Sequence, residues 1–175
     1  MTIFHAVLAL VLLQRIGELI LARANMLRLL KLGAVEVDRV GYKWFVVMHV
    51  AWLVALGLFV PARAPPHWPL LALFFMLQAG RAWVICSLGR RWTTRLIVLP
   101  GSTLITSGPY RVFRHPNYMI VFGEVAILPL AFDAVAIAVA FSICNAALLL
   151  RRIRIERAAL DFPGCDARRE RIRWS

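Results

Sequence analysis

Apolar positions in this chain come in long unbroken runs rather than in a short alternation with polar ones. Such runs cover about residues 3–22, 44–60 and 68–88, the last closed by Gly89 before Arg90 and Arg91. At 1.5 Å per residue, about twenty residues cross the ~30 Å hydrocarbon core of a bilayer, so each run predicts a transmembrane helix. From residue 118 to 151 the chain is apolar for about thirty positions, too many for one span, and Pro129 and Asp133 interrupt it in the middle. The interruption predicts a tight helical hairpin, a fourth helix ending near Phe132 and a fifth starting near Ala134. The expected fold is an all-α integral membrane protein with five transmembrane helices.

Composition agrees: 61% of the residues are hydrophobic, 17% are charged and the mean hydropathy is +0.73. No Ser/Gly-rich linker divides the 175 residues. They read as one domain, residues 1–89 forming a three-helix half and 90–175 a loop, the hairpin and a tail. The N-terminal run lacks an early basic region and continues past a short signal core, so it reads as a span rather than a cleaved leader. Cys86, Cys144 and Cys165 form no metal-ligand or redox spacing and read as small core residues.

The net charge of +12 changes the picture through its placement. Eighteen of the 21 cations fall after the first run, after the third run or in the tail beyond Leu150; Arg63 alone falls on the other side, and Arg15 and Arg81 lie within runs. Cytoplasmic loops carry such an excess, so the N-terminus is expected outside and the large loop and C-terminus in the cytoplasm. An even number of spans would separate loop three from the tail, so charge and span count support each other. The cations form no aromatic-interleaved groove, and nucleic acid is not an expected partner.

Ionisable residues inside the membrane cost roughly 2.5 to 3.5 kcal/mol each, and each needs a partner or a purpose. Arg15 and Glu18 stand three apart on one helix face and can neutralise each other. His49, Arg81 and Glu124 have no such local partner; Glu124, near the start of helix four, is within reach of Arg111 or Arg114.

The most polar stretch between apolar runs is SGPYRVFRHPNY, from Ser107 to Tyr118. Gly108-Pro109 predicts a turn, and Pro116 suits the first helical turn, where no amide donor is required. His115, Asn117 and Tyr118 then sit at a helix N-terminus, whose free amides favour an anion. The RRIRIERAAL stretch from Arg151 ends helix five and brings Glu156 to the same level as that start. Snorkelling arginines at a membrane face explain the cations but not His115, Asn117 and Glu156.

GPYRVFRHPNY, an apolar hairpin and RIRIERAAL together resemble the C-terminal half of the isoprenylcysteine carboxyl methyltransferase superfamily, which binds S-adenosylmethionine with a GPYxxxRHPxY segment and a RIxxEE segment. Upstream, RIGELILARAN from Arg15, LGAVEVDRVGYKWFVVMHVAW from Leu32 and RRWTTRLIVLPG from Arg91 are similar to the small bacterial branch that O-methylates alkylpyrones and alkylresorcinols. The chain departs from the pattern at Arg157, where a second glutamate is usual, and at Gly41-Tyr42-Lys43, where this branch often has His-Tyr-Pro.

The resemblance implies an S-adenosylmethionine-dependent methyltransferase of the bacterial cytoplasmic membrane, its active site at the cytoplasmic face, acting on a lipophilic acceptor that enters from the bilayer. It implies a cofactor site of Gly108, Tyr110, Arg111, His115, Pro116, Asn117 and Tyr118, with Glu156 and neighbouring arginines such as Arg154 at the amino acid end. His115, Arg111, Arg114 and Glu124 are the catalytic candidates. No Gly-rich nucleotide motif or strand–helix alternation offers another place for a cofactor. The rivals are a prenylcysteine carboxyl methyltransferase, a nicotinamide-dependent reductase of the related sterol group, and a non-catalytic scaffold or transporter; no internal repeat favours transport.

Overall fold

The computed structural model describes residues 2–102 and 105–160; Cys165 and the arginines of the tail from Arg168 onward lie outside the described residues. Five α-helices carry the fold: α1 (Ile3–Lys31), α2 (Arg39–Phe59), α3 (Trp68–Leu88), α4 (Pro116–Leu130) and α5 (Val135–Leu160). α1, α2, α5 and the segment Trp68–Arg91 are long and apolar enough to cross a membrane. At fifteen residues α4 is apolar but shorter, about 22 Å against a core of ~30 Å. Pro116 sets its start and a turn at residues 131–134 sets its end.

α1 runs nine residues beyond the expected end at Ala22. The cations that begin at Arg23 mark the edge of the apolar run, but nothing there breaks a helix, and leucines continue through Leu27, Leu29 and Leu30 until Gly33, whose φ of +89° turns the chain. Arg23, Arg28 and Lys31 therefore lie on helix rather than in a loop. The extension is pinned from the side: the Asn25 amide donates to the carbonyls of Gly89 (3.1 Å) and Trp92 (2.9 Å). A two-stranded antiparallel ladder, β1 (Val35–Glu36) with β2 (Ile97–Val98), joins the segments after α1 and α3 and is the one departure from an all-helical chain among the described residues.

The main core gathers Phe4, Val7 and Val11 of α1, Trp52 and Leu56 of α2, Phe74 of α3 and Val125 and Leu128 of α4. Cys86 and Cys144 are exposed on helix surfaces, so they are not core residues as expected; in a membrane protein those surfaces face lipid, which accepts a small apolar side chain as readily as a core does. At the turn between α4 and α5, Asp133 adopts a positive φ of 60° and bonds His67 Nε2 at 2.7 Å, while the His67 amide donates to the Ala131 carbonyl at 2.8 Å. Asp tolerates that backbone region better than most residues.

The intramembrane charges are partnered across helices. Arg81 donates to both Glu18 oxygens (2.5 and 2.6 Å) and to Glu124 (3.1 Å); Arg15 donates to Glu18 (2.8 Å) and Glu124 (2.5 Å). Two cations and two anions cancel, so α1, α3 and α4 are held by a neutral buried cluster, which removes most of the insertion penalty. Glu124, 1% exposed, thus pairs with Arg15 and Arg81, and not with Arg111 or Arg114, which are exposed on the loop before α4. His49 donates from Nδ1 to the Phe45 carbonyl at 2.8 Å.

Candidate functional site

The loop before α4 is fixed from two sides. Gly108 opens a 3-10 turn through Arg111 with φ +60°, and a Cβ there would meet Ser87 Oγ at 2.2 Å, so the turn lies directly on the end of α3. Tyr110 packs into a small apolar cluster with Ala22, Val84 and Trp92. Burial and the nearby Glu156 carboxylate push the Tyr110 phenol up to about 12, which keeps it a neutral donor. Pro116 is buried and opens α4.

His115 precedes that first turn, and its ring stacks on Tyr118 with centroids 5.2 Å apart and planes 8° from parallel. The Tyr118 hydroxyl donates to Glu156 Oε2 at 2.7 Å, and His115 Nδ1 stands 3.8 Å from the same oxygen. At that distance the pair is electrostatic rather than hydrogen bonded. Burial lowers the His115 pKa, and Arg157 and Arg114 lower it further against the pull of Glu156, so the imidazole stays neutral at physiological pH. His115 Nε2 and Asn117 Oδ1 are buried with no hydrogen-bond partner. Among the described residues neither atom is paired, so both are available to a polar ligand.

Arg152 organises this site and was not singled out by sequence. Its Nε donates to the Tyr118 hydroxyl (3.2 Å) and its Nη2 to the Thr94 carbonyl (2.9 Å), and its guanidinium lies 5.4 Å from the Phe45 ring centroid and 5.7 Å from that of Tyr118. Its signal was the spacing to Glu156: four residues apart on a helix, the two share a face. The structure thus brings together Gly108, Tyr110, His115, Pro116, Asn117, Tyr118 and Glu156. Arg111, Arg114 and Arg154 are exposed around them, and Glu124 belongs to the separate buried cluster.

The departure at Gly41 has a local cause. Arg151 makes a two-armed pair with Asp38 (3.1 and 3.2 Å), Asp38 caps α2 by accepting from the Gly41 amide at 2.9 Å, and a Cβ at residue 41 would meet Asp38 Oδ2 at 1.9 Å and Arg151 Nη1 at 2.0 Å. A side chain at residue 41 would have to displace that pair. Arg157 is exposed, so Glu156 is the carboxylate facing His115 and Tyr118.

Residues 70–161 match the family model described as the isoprenylcysteine carboxyl methyltransferase (ICMT) family. The chain is also 36% identical over 162 residues to the "uncharacterized protein YpbQ" of Bacillus subtilis (strain 168), a match covering 90% of this chain and 96% of that protein. No solved structure matches it. The family match spans α3 to the end of α5 and so contains every residue of the site but Phe45; with four helices able to cross a membrane, the chain belongs to the isoprenylcysteine carboxyl methyltransferase family and is a multi-pass membrane methyltransferase.

Proposed function

We propose that the protein uses S-adenosylmethionine to methylate an oxygen of a lipophilic acceptor, a phenolic or pyrone lipid, at the cytoplasmic face of a bacterial inner membrane. In this reading α4 completes a five-span bundle with the N-terminus outside, as the cation asymmetry requires. The observation that carries the proposal is the meeting of His115, Tyr118, Arg152 and Glu156 where α4 begins and α5 ends.

The residues fit the cofactor. Asn117 Oδ1 offers an unpaired acceptor, Tyr110, Tyr118 and the His115 ring offer aromatic walls, and Glu156 offers a carboxylate for an ammonium group. When bound, S-adenosylmethionine supplies a methyl group whose carbon–sulfur bond breaks, with the electron pair left on sulfur, as the acceptor's oxygen–carbon bond forms.

This chain's own residues position the acceptor and handle its proton. With Nδ1–H turned toward Glu156, His115 keeps its Nε2 lone pair free, and the lowered pKa keeps it unprotonated, so Nε2 accepts the hydroxyl proton. Arg111 and Arg114 supply fixed positive charge for the resulting oxyanion. Phenols and enols are acidic enough that no stronger base is needed.

The test is to incubate membranes containing the protein with labelled S-adenosylmethionine and an alkylresorcinol, an alkylpyrone or a farnesylated cysteine analogue. Methyl ether on a ring acceptor supports the proposal; label found only as a base-labile methyl ester replaces it with carboxyl methylation. Titration with S-adenosylhomocysteine and with a reduced nicotinamide separates both from a reductase or a scaffold.

A further inference from the structure

A cavity of about 430 Å³ lies beside the site, between the C-terminal half of α1 and the segment that follows α3. None of residues 108–118, nor Glu156, lines it. Its walls differ in chemistry. Leu19, Met26 and Leu27 of α1 form an apolar side, with Leu19 and Leu27 about half exposed, so that side opens outward along the helix. Tyr42, Thr93 and Arg95 form a polar side.

The cavity also has a definite depth. α1 has 29 residues, roughly 44 Å of helix against a ~30 Å hydrocarbon core, so about a third of it projects beyond the core. Arg23, Arg28 and Lys31 identify the C-terminal end as the projecting one. An apolar wall reaching up from the lipid and a polar wall at headgroup level match a molecule with an alkyl chain below and a polar head above.

The head has a preferred charge. Arg95 is held by Glu36 at 2.8 Å and lies 4.6 Å over the Tyr42 ring, a fixed guanidinium with further N–H donors beyond the one given to Glu36. Arg23 adds a second, exposed cation on the rim. Among the described residues the lining holds two guanidiniums and no carboxylate, against the one Glu36 that pairs with Arg95 from beside it, so a weakly acidic or anionic oxygen is favoured over an ammonium.

Two connections tie the cavity to the catalytic constellation. Thr94, in its wall, accepts through its carbonyl from Arg152, which also donates to Tyr118. Ala22, also in its wall, packs in the cluster that holds Tyr110.

We propose that this cavity is where the methyl acceptor docks before its head passes to His115, and that it takes a single-chain amphiphile whose head is a weakly acidic hydroxyl or carboxyl group. The assignment rests on the methyltransferase reading, while the amphiphile site itself stands without it. The volume lies within the ~300 to 1,000 Å³ of ordinary small-molecule pockets.

The experiment uses the full chain in nanodiscs and two photoreactive probes, a 5-alkylresorcinol and a farnesylcysteine, each with a diazirine in its chain. Crosslinks are mapped by mass spectrometry and competed with unlabelled amphiphile. Competed label on residues 19–27 and 93–95 is expected, and the probe that labels identifies the head. Leu19→Trp and Leu27→Trp, at half-exposed positions, are expected to lower labelling about tenfold while S-adenosylhomocysteine affinity stays within about twofold. Competed label confined to other helices, absence of label from both probes, or undiminished label in both tryptophan variants overturns the proposal. Labelling of the cavity in a wild-type protein that does not bind S-adenosylhomocysteine supports the amphiphile site and removes the methyltransferase reading.

Discussion

Tyr118 and Glu156, 38 residues apart in the chain, share a 2.7 Å hydrogen bond that closes the open end of the α4–α5 pair. The bond joins the first turn of one helix to the last turns of the other and aligns His115, stacked on Tyr118, with the one carboxylate that faces it among the described residues. Loosening either partner separates the two halves of the candidate cofactor site.

Glu156→Gln and His115→Ala are each expected to weaken S-adenosylhomocysteine binding by about tenfold or more, since one charge-assisted hydrogen bond is worth roughly 1.5 to 3 kcal/mol. Tyr118→Phe removes the hydroxyl but keeps the stacking ring and is expected to have a smaller effect in the same direction. Calorimetric titration of the purified variants checks this; wild-type affinity in both of the first two, with folding intact, moves the pocket elsewhere.

If His115 is the base of the proposed reaction, its lowered pKa should place the acid limb of the rate profile below the ordinary histidine value of about 6.5. Because the folded state resists protonating this ring, the stability it supports is complete above that value and falls as pH drops below it. Arg157→Glu replaces a neighbouring cation that lowers the pKa by an anion that raises it, and the acid limb should move toward neutral pH. An unmoved limb in pH–rate profiles of this variant removes His115 as the titrating base.

Arg81→Ala leaves Glu18 and Glu124 to share Arg15 alone, one cation against two anions, and buried charges that lose a partner typically cost about 3 to 5 kcal/mol. A large fall in the thermal unfolding temperature in detergent is expected, with Glu124→Gln milder because one neutral oxygen can still accept from the arginines. Wild-type stability for Arg81→Ala contradicts the neutral-cluster account.

Gly41→Ala brings a methyl group into the Asp38–Arg151 pair and should unseat the cap of α2. Loss of the cap alone costs about 1 kcal/mol, and the displaced ion pair adds to it. A variant as stable as wild type in the same unfolding assay shows that the pair can shift without cost.

Cys165, outside the described residues, tests orientation. With Cys86 and Cys144 replaced by alanine, an impermeant thiol reagent should label it only after the cytoplasmic face is opened. Labelling in intact cells reverses the topology.

By itself the sequence determined the helical architecture and which polar motif residues stand out from it, because both are written locally. A bilayer demands long apolar runs with satisfied backbones, so α2 and α3 occur where hydropathy places them, and Pro116, Pro129 and Asp133 punctuate the chain through their own backbone preferences. The motif residues His115, Asn117, Tyr118 and Glu156 could be named because a polar run against an apolar one has no packing reason to exist. Tertiary structure alone decided the partners: Glu124 lies as near Arg111 and Arg114 in sequence as any cation, yet it pairs with Arg15 and Arg81 from helices far away in the chain. It also decided that Asn25 pins the extended α1 to carbonyls beyond α3, and that Arg152, among the four described tail arginines, is the one that binds Tyr118 and Thr94. The physical reason is range: hydropathy and turn chemistry act over a few residues, whereas the pairing of buried charges is settled by which helix faces meet.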